Sequence, residues 1–91
     1  MKKSEIIAAI ESKVGKTDYT IWRIGITQNV EERKIQHRDT EKQNVTCWSQ
    51  WQADSLSDAQ EIETHFINNK KMKGGTGGDL SPYKTTFVYV F

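Results

Sequence analysis

Three residues in this chain have types and spacing suited to chemistry on a phosphate: Arg33, His37 and Glu63. Arg33 and His37 stand one helical turn apart, after the strand-like run Ile24-Gly25-Ile26-Thr27. Glu63 lies far downstream, on or beside the apolar stripe of a second amphipathic segment. A guanidinium presents a planar fork of donors that matches phosphate oxygens. A carboxylate held inward is costly unless it is paired or coordinates a cation. One arginine and one carboxylate on separate helices beside a strand are what phosphodiester chemistry with a single divalent cation requires. The bland alternative for Glu63 is a structural ion pair, with Arg33 as its partner.

The elements that must position these groups follow from periodicity and caps. Ser4 to Val14 reads as a helix capped by Ser4, with Ile6, Ile7, Ile10 and Val14 at helical spacing and Gly15 as its stop. Thr20 to Thr27 reads as a strand. Trp22, Ile24 and Ile26 share one face, and Arg23, Gly25 and Thr27 share the other. A glycine inside a strand marks a bulge or a close approach by another group. Asn29 then caps a helix, with Glu32 in the capping-box position. If Val30 faces the sheet, Arg33 and His37 face the same region. Arg38 to Asn44 reads as a polar loop, and Val45 to Gln52 as a strand rich in Trp and β-branched residues. Ser57 caps a third helix with Ala59, Ile62, Phe66 and Ile67 as its stripe, ending near Asn69. Lys70 to Pro82 reads as a glycine-rich loop, and Thr85 to Phe91 as a final strand of apolar and aromatic residues. The predicted fold class is α/β (α+β), in the order α-β-α-β-α-β, with a three-stranded sheet flanked by three helices.

At 91 residues the chain is one small domain. A chain of this length buries only about 60–65% of its unfolded surface, so each large apolar residue matters. The net charge of +1 argues against strong non-specific attraction to nucleic acid. Basic residues nevertheless cluster locally, at Lys70, Lys71 and Lys73 and at Arg33, Lys34 and Arg38. The single cysteine, Cys47, rules out an internal disulfide and reads as a small buried hydrophobe. No apolar run approaches the roughly 20 residues of a membrane span, and no secretory h-region opens the chain, so a cytoplasmic protein with no membrane partner is expected.

Other candidates are weaker. Glu61 and His65 are one turn apart, but two ligands are too few for a zinc site. Gly74, Gly75, Gly77 and Gly78 around Thr76 lack the Lys-Ser/Thr ending of a P-loop and precede a strand rather than a helix. With the nearby lysines they could form a nest of backbone N–H groups for a phosphate backbone. Trp48 and Trp51 fall on opposite faces of a regular strand, one for the core and one free to stack on a base or to lie under a helix.

The run from Ile24 to His37 resembles the second half of the GIY-YIG nuclease motif. Gly25, Thr27, Arg33 and His37 match it in type and spacing, and Ala59 through Glu63 is similar to its downstream Ala-x-x-x-Glu pattern. The resemblance covers roughly half the chain, from Trp22 to Lys71. It implies a three-stranded antiparallel sheet, with Arg33 holding the scissile phosphate and Glu63 binding one divalent metal, Mg²⁺ or Mn²⁺. The chain departs from the family at Arg23, which stands where the tyrosine of Tyr-Ile-Gly is expected, and no Gly-Ile-Tyr strand precedes it. Phe87-Val88-Tyr89-Val90-Phe91 looks like the missing tyrosine-bearing strand supplied from the other end of the chain. In such a circular permutation Tyr89 provides the phenol. The resemblance therefore implies Arg33, Glu63, Tyr89 and His37 as the catalytic set. Arg23, Gly25, Thr27, Lys70, Lys71 and Lys73 would lie along DNA or RNA.

Three functions compete on this reading: a metal-dependent endonuclease, a catalytically inactive relative that binds nucleic acid or a protein, and a small interaction module encoded by a phage or mobile element. Arginine at position 23 cannot accept a proton at any working pH. It favours phosphate binding over catalysis unless Tyr89 or His37 serves as the base.

Overall fold

The computed structural model describes residues 1–74 and 80–91. It is a small α+β fold of three α-helices and a four-stranded sheet. In chain order the elements are α1 (Lys3–Val14), β1 (Arg23–Thr27), α2 (Val30–Ile35), β2 (Ser49–Gln52), α3 (Leu56–Lys70), β3 (Lys73–Gly74) and β4 (Phe87–Val90). A 3₁₀ turn, Tyr19–Ile21, precedes β1, and a π-helical turn, Gln36–Thr40, continues α2.

The last strand in sequence sits inside the sheet, whose order is β2-β4-β1-β3. β4 runs antiparallel to both neighbours. The pairing expected between the strand after Thr20 and the final strand is present: Ile24 faces Val90, Gly25 faces Tyr89, and Thr27 faces Phe87. The ladder continues one residue further, where Arg23 and Phe91 exchange backbone bonds of 2.8 and 3.0 Å.

Strand alternation sorts the two faces of the sheet. Ile24, Ile26, Val88 and Val90 join Ile6, Ile10 and Val14 of α1 and Ala59, Ile62 and Phe66 of α3 in one buried cluster. Fully burying side chains of this size stabilises by about 1.5–3 kcal/mol each. The other face carries Gly25 and Tyr89 and is covered by the α2 segment and Trp48.

Several boundaries differ from the sequence reading. The sheet is neither three-stranded nor purely antiparallel. Lys73 and Gly74 add a two-residue strand parallel to β1, pinned by Lys73 N–H donating to the Trp22 carbonyl at 2.9 Å. A two-residue strand inside a glycine-rich run has no periodicity to betray it. Thr20 and Ile21 are not strand, because Asp18 accepts from Thr20 N–H at 2.9 Å and winds a short turn there. Val45 to Trp48 is not strand either. Asn44 Oδ1 accepts from Thr46 N–H at 3.0 Å, and Trp48 N–H bonds back to Val45 O, so the chain turns before Ser49. That turn leaves Cys47 exposed rather than buried. α3 begins two residues earlier than expected, because Ser55, not Ser57, accepts from the Asp58 N–H at 3.1 Å. α1 starts at Lys3, before the expected Ser4 cap, and Glu5 accepts from the Lys2 N–H. No helix among the described residues is long and apolar enough to cross a membrane.

Candidate functional site

The site is built on the register of β1 against β4. Gly25 and Tyr89 are cross-strand partners, and the phenol lies over the glycine. A Cβ at Gly25 would collide with the Tyr89 hydroxyl and two of its ring carbons, all closer than 3.0 Å. Trp48 stacks on the same ring at 4.4 Å with the planes 7° apart and so restricts its movement. Tyr89 is 2% exposed.

The turn after β1 aims α2 at this phenol. Asn29 Oδ1 caps the helix by accepting from Glu32 N–H at 3.1 Å, and Thr27 Oγ1 bonds the Asn29 backbone. Gln28 clamps the turn to the far loop through Ser81 and Thr86. Arg33 and His37, one turn apart, then reach the same oxygen. Arg33 Nε–H donates to Tyr89 Oη at 3.2 Å, and His37 Nε2 lies 2.7 Å from it. His37 belongs to the π-helical turn, which Glu41 N–H closes onto Gln36 O, five residues back, at 3.0 Å. Such turns recur at functional sites because they redirect side chains. Burial pushes the Tyr89 phenol up, while the Arg33 guanidinium pulls it back down; Glu63 and Glu41 add to the rise.

Glu63, on α3, is close enough to Arg33 for the guanidinium to lower its pKa, yet burial dominates and raises it from 4.5 to about 7. No ion pair joins Glu63 and Arg33 among the described residues, so the structural-pair reading is not what the molecule does. Glu63 Oε2 is instead buried with no hydrogen-bond donor among the described residues. A buried carboxylate oxygen without a partner is rare and calls for an explanation, such as a proton or a cation. Mg²⁺ is commonly held by one or two carboxylates, with waters and substrate phosphate completing its shell. Glu63 has the chemistry of one such carboxylate, and no cluster of three or more His, Cys, Asp or Glu that could hold a metal occurs among the described residues.

Arg23 turns its guanidinium to Gln43. Its Nε and Nη2 lie 3.0 and 3.1 Å from the Gln43 side-chain oxygen, and the Gln43 amide nitrogen then donates to Glu41 Oε2 at 3.1 Å. The opposite amide orientation would place Gln43 Oε1 2.7 Å from His37 Nδ1, but it would set two N–H groups against the guanidinium, so it is rejected. Glu41 Oε2 also pairs with His37 Nδ1. Arg23, Gly25, Arg33, His37, Glu41 and Tyr89 together line a small cavity of about 120 Å³. Arg33 also borders an open cleft of about 410 Å³ that runs from Thr27 and Gln28 to Gln36 and Lys84.

Arg33, His37, Tyr89, Gly25 and Arg23 are thus gathered at one place, with Glu63 within electrostatic reach of Arg33 and Tyr89. Other candidates have different surroundings. Thr27 is buried in the turn that starts α2. Lys70 lies over the Tyr19 ring, Lys71 caps α3 in the left-handed conformation with its ammonium on Asn68 O, and Lys73 is exposed on β3. Glu61 pairs with Lys3 at 2.7 Å and His65 bonds Asn69, so these two do not form a metal pair. The nest expected from Gly75, Thr76, Gly77 and Gly78 lies outside the described residues. Trp51 packs on the core, while Trp48 covers Tyr89.

Sequence reasoning missed Glu41, Gln43 and Trp48 as members of the site. Glu41 had a readable signal, since His37 and Glu41 are one turn apart, but the segment from Arg38 on looked like a loop. Compared with known proteins, the chain has no significant match to any family model, curated protein or solved structure.

Proposed function

We propose that the chain is a permuted GIY-YIG-like nuclease domain that hydrolyses phosphodiester bonds in DNA or RNA with one divalent cation. The observation that carries this reading is the convergence of Arg33 and His37 on the Tyr89 hydroxyl over Gly25, with the partnerless Glu63 carboxylate in the field of Arg33. The antiparallel three-strand portion β2-β4-β1 supports the same fold family, and β3 is then an addition at its edge.

In this reading Arg33 binds the scissile phosphate from the mouth of the open cleft and stabilises the charge that develops on it. Glu63 would hold Mg²⁺ or Mn²⁺, which supplies Lewis-acid stabilisation of the phosphate and leaving oxygen. Tyr89 takes a proton from the attacking water and passes its own to His37 Nε2. The new P–O bond forms as the bond to the leaving oxygen breaks, and that oxygen collects a proton from solvent. Because the phenol is pushed up, it works as a neutral relay and not as a standing phenolate.

A second reading, an inactive module that binds nucleic acid, draws on the burial of Tyr89 and on Arg23, a cation where the family has a phenol. One experiment separates the two. Purified protein is incubated with plasmid and with RNA, with Mg²⁺ or Mn²⁺ and then EDTA, beside Glu63→Ala and Arg33→Ala. Metal-dependent cutting lost in both variants is the expected result. Absence of cutting, with salt-sensitive binding weakened by Arg33→Ala, transfers the conclusion to the binding module.

A further inference from the structure

We propose that Glu41, held by Gln43 and through it by Arg23, is a positioning residue that fixes His37 as the Nδ1–H tautomer and leaves Nε2 to accept from the Tyr89 hydroxyl. Its catalytic consequence rests on the nuclease reading; the tautomer itself does not.

His37 is 2% exposed, so its two nitrogens take their roles from protein neighbours alone. Nε2 has one neighbour, the Tyr89 hydroxyl, which can donate or accept. Nδ1 has two neighbours with opposite demands. The Glu41 carboxylate can only accept, and the Gln43 amide nitrogen can only donate. A charge-assisted bond is about twice as strong as a neutral one, so the carboxylate wins and Nδ1 carries the proton. Gln43 then serves Glu41 rather than the ring, donating to Oε2 at 3.1 Å, and Arg23 locks Gln43 by donating to its oxygen at 3.0 and 3.1 Å.

Every donor in the row now points the same way. Arg33 Nε–H donates to Tyr89 Oη, Tyr89 O–H donates to His37 Nε2, and His37 Nδ1–H donates to Glu41. A proton leaving Tyr89 moves to an imidazole nitrogen that is already empty, and the charge it creates is faced by Glu41. Second-neighbour carboxylates of this kind set imidazole tautomer and orientation in other sites as well. The arginine at position 23, which removes a phenol from the site, thereby gains a structural task inside it.

Long-range ¹H–¹⁵N correlation spectra of the ring nitrogens test this at about pH 8, where an ordinary histidine is neutral. The chain holds two histidines, and His65, outside the site, is the internal control. His37 is expected to show a protonated Nδ1 and a free Nε2. Glu41→Ala should invert this, because the Gln43 amide then donates to Nδ1, whereas Glu41→Gln should retain Nδ1–H through its side-chain oxygen. If the chain cuts nucleic acid, Glu41→Ala should lower kcat by roughly 10²-fold, the low end for general-base catalysis, with KM little changed. A wild-type His37 protonated at Nε2, or a tautomer indifferent to Glu41→Ala, overturns the inference and leaves the nuclease reading intact. The expected tautomers in a chain that cuts nothing uphold the inference and remove that reading.

Discussion

Replacing Glu63 with glutamine should make the protein more stable at high pH and leave it unchanged at low pH. The carboxyl titrates near its ordinary 4.5 in the unfolded chain and at about 7 in the folded one. Below 4.5 both states carry the proton and Glu63 costs nothing. As pH rises from 4.5 to 7 the unfolded chain releases its proton first, so stability falls through that window, and above 7 the folded state holds a charge it does not solvate fully. At about 1.4 kcal/mol per pH unit the full gap would be worth about 3 kcal/mol. Glu63 is only half-buried and keeps contact with water, which screens this to about 1–2 kcal/mol. Glutamine copies the protonated acid, so the difference between wild type and Glu63→Gln isolates the group. Urea unfolding from pH 4 to 8 should give a difference near zero at pH 4, growing to 1–2 kcal/mol in favour of Glu63→Gln at pH 8. If Glu63 holds a cation, Mg²⁺ should stabilise wild type at pH 8 and leave Glu63→Gln unmoved. A difference that stays flat with pH, or a variant weaker than wild type at pH 8, would refute the reasoning.

Gly25→Ala drives a methyl into the phenol on which Trp48 stacks; overpacking of this kind costs about 1–3 kcal/mol, or roughly 5–20 °C in Tm for a domain of this size, read by thermal unfolding. Most of that cost should vanish in a Tyr89→Leu background, which lacks the three colliding atoms, and an equal cost in both backgrounds would contradict the packing. Tyr89→Phe leaves Arg33 Nε and His37 Nε2 without their shared partner, so a loss of about 1–2 kcal/mol is expected in urea unfolding, together with loss of any cutting activity. Ser55→Ala should destabilise by about 1 kcal/mol through its lost helix cap while Ser57→Ala stays within about 0.5 kcal/mol; the reverse order would move the start of α3.

The parts of the fold that were legible in the sequence are those fixed by local periodicity. The stripes Ile6-Ile10-Val14 and Ala59-Ile62-Phe66 and the alternation of Ile24 and Ile26 all lead into the one core cluster. Asn29 was readable as a cap because its partner, Glu32 N–H, is three residues away. What escaped depends on short polar side chains competing with the backbone, as Asp18 and Asn44 do, or on contacts distant in sequence. Lys73 and Gly74 become a strand only because the Trp22 carbonyl is there to pair with. In the site, Arg33 and His37 were visible as neighbours one turn apart. Gln43 was not, since its role exists only where Arg23 and Glu41 approach it from either side.

The register of β4 is fixed from both of its faces. β4 gives Val88 and Val90 to the apolar core and Tyr89 to the polar face between them. A slip of one residue would exchange the two faces, burying the phenol among Ile6, Ile62 and Phe66 and turning valines toward Arg33 and His37. Both faces therefore select the same alignment, and Gly25 adds a third constraint, because no other position on β1 lacks a side chain where the ring must lie. β4 forms its pairs with β1 across the long segment from Gln28 to Thr86, so it is specified by complementarity rather than by proximity in the chain.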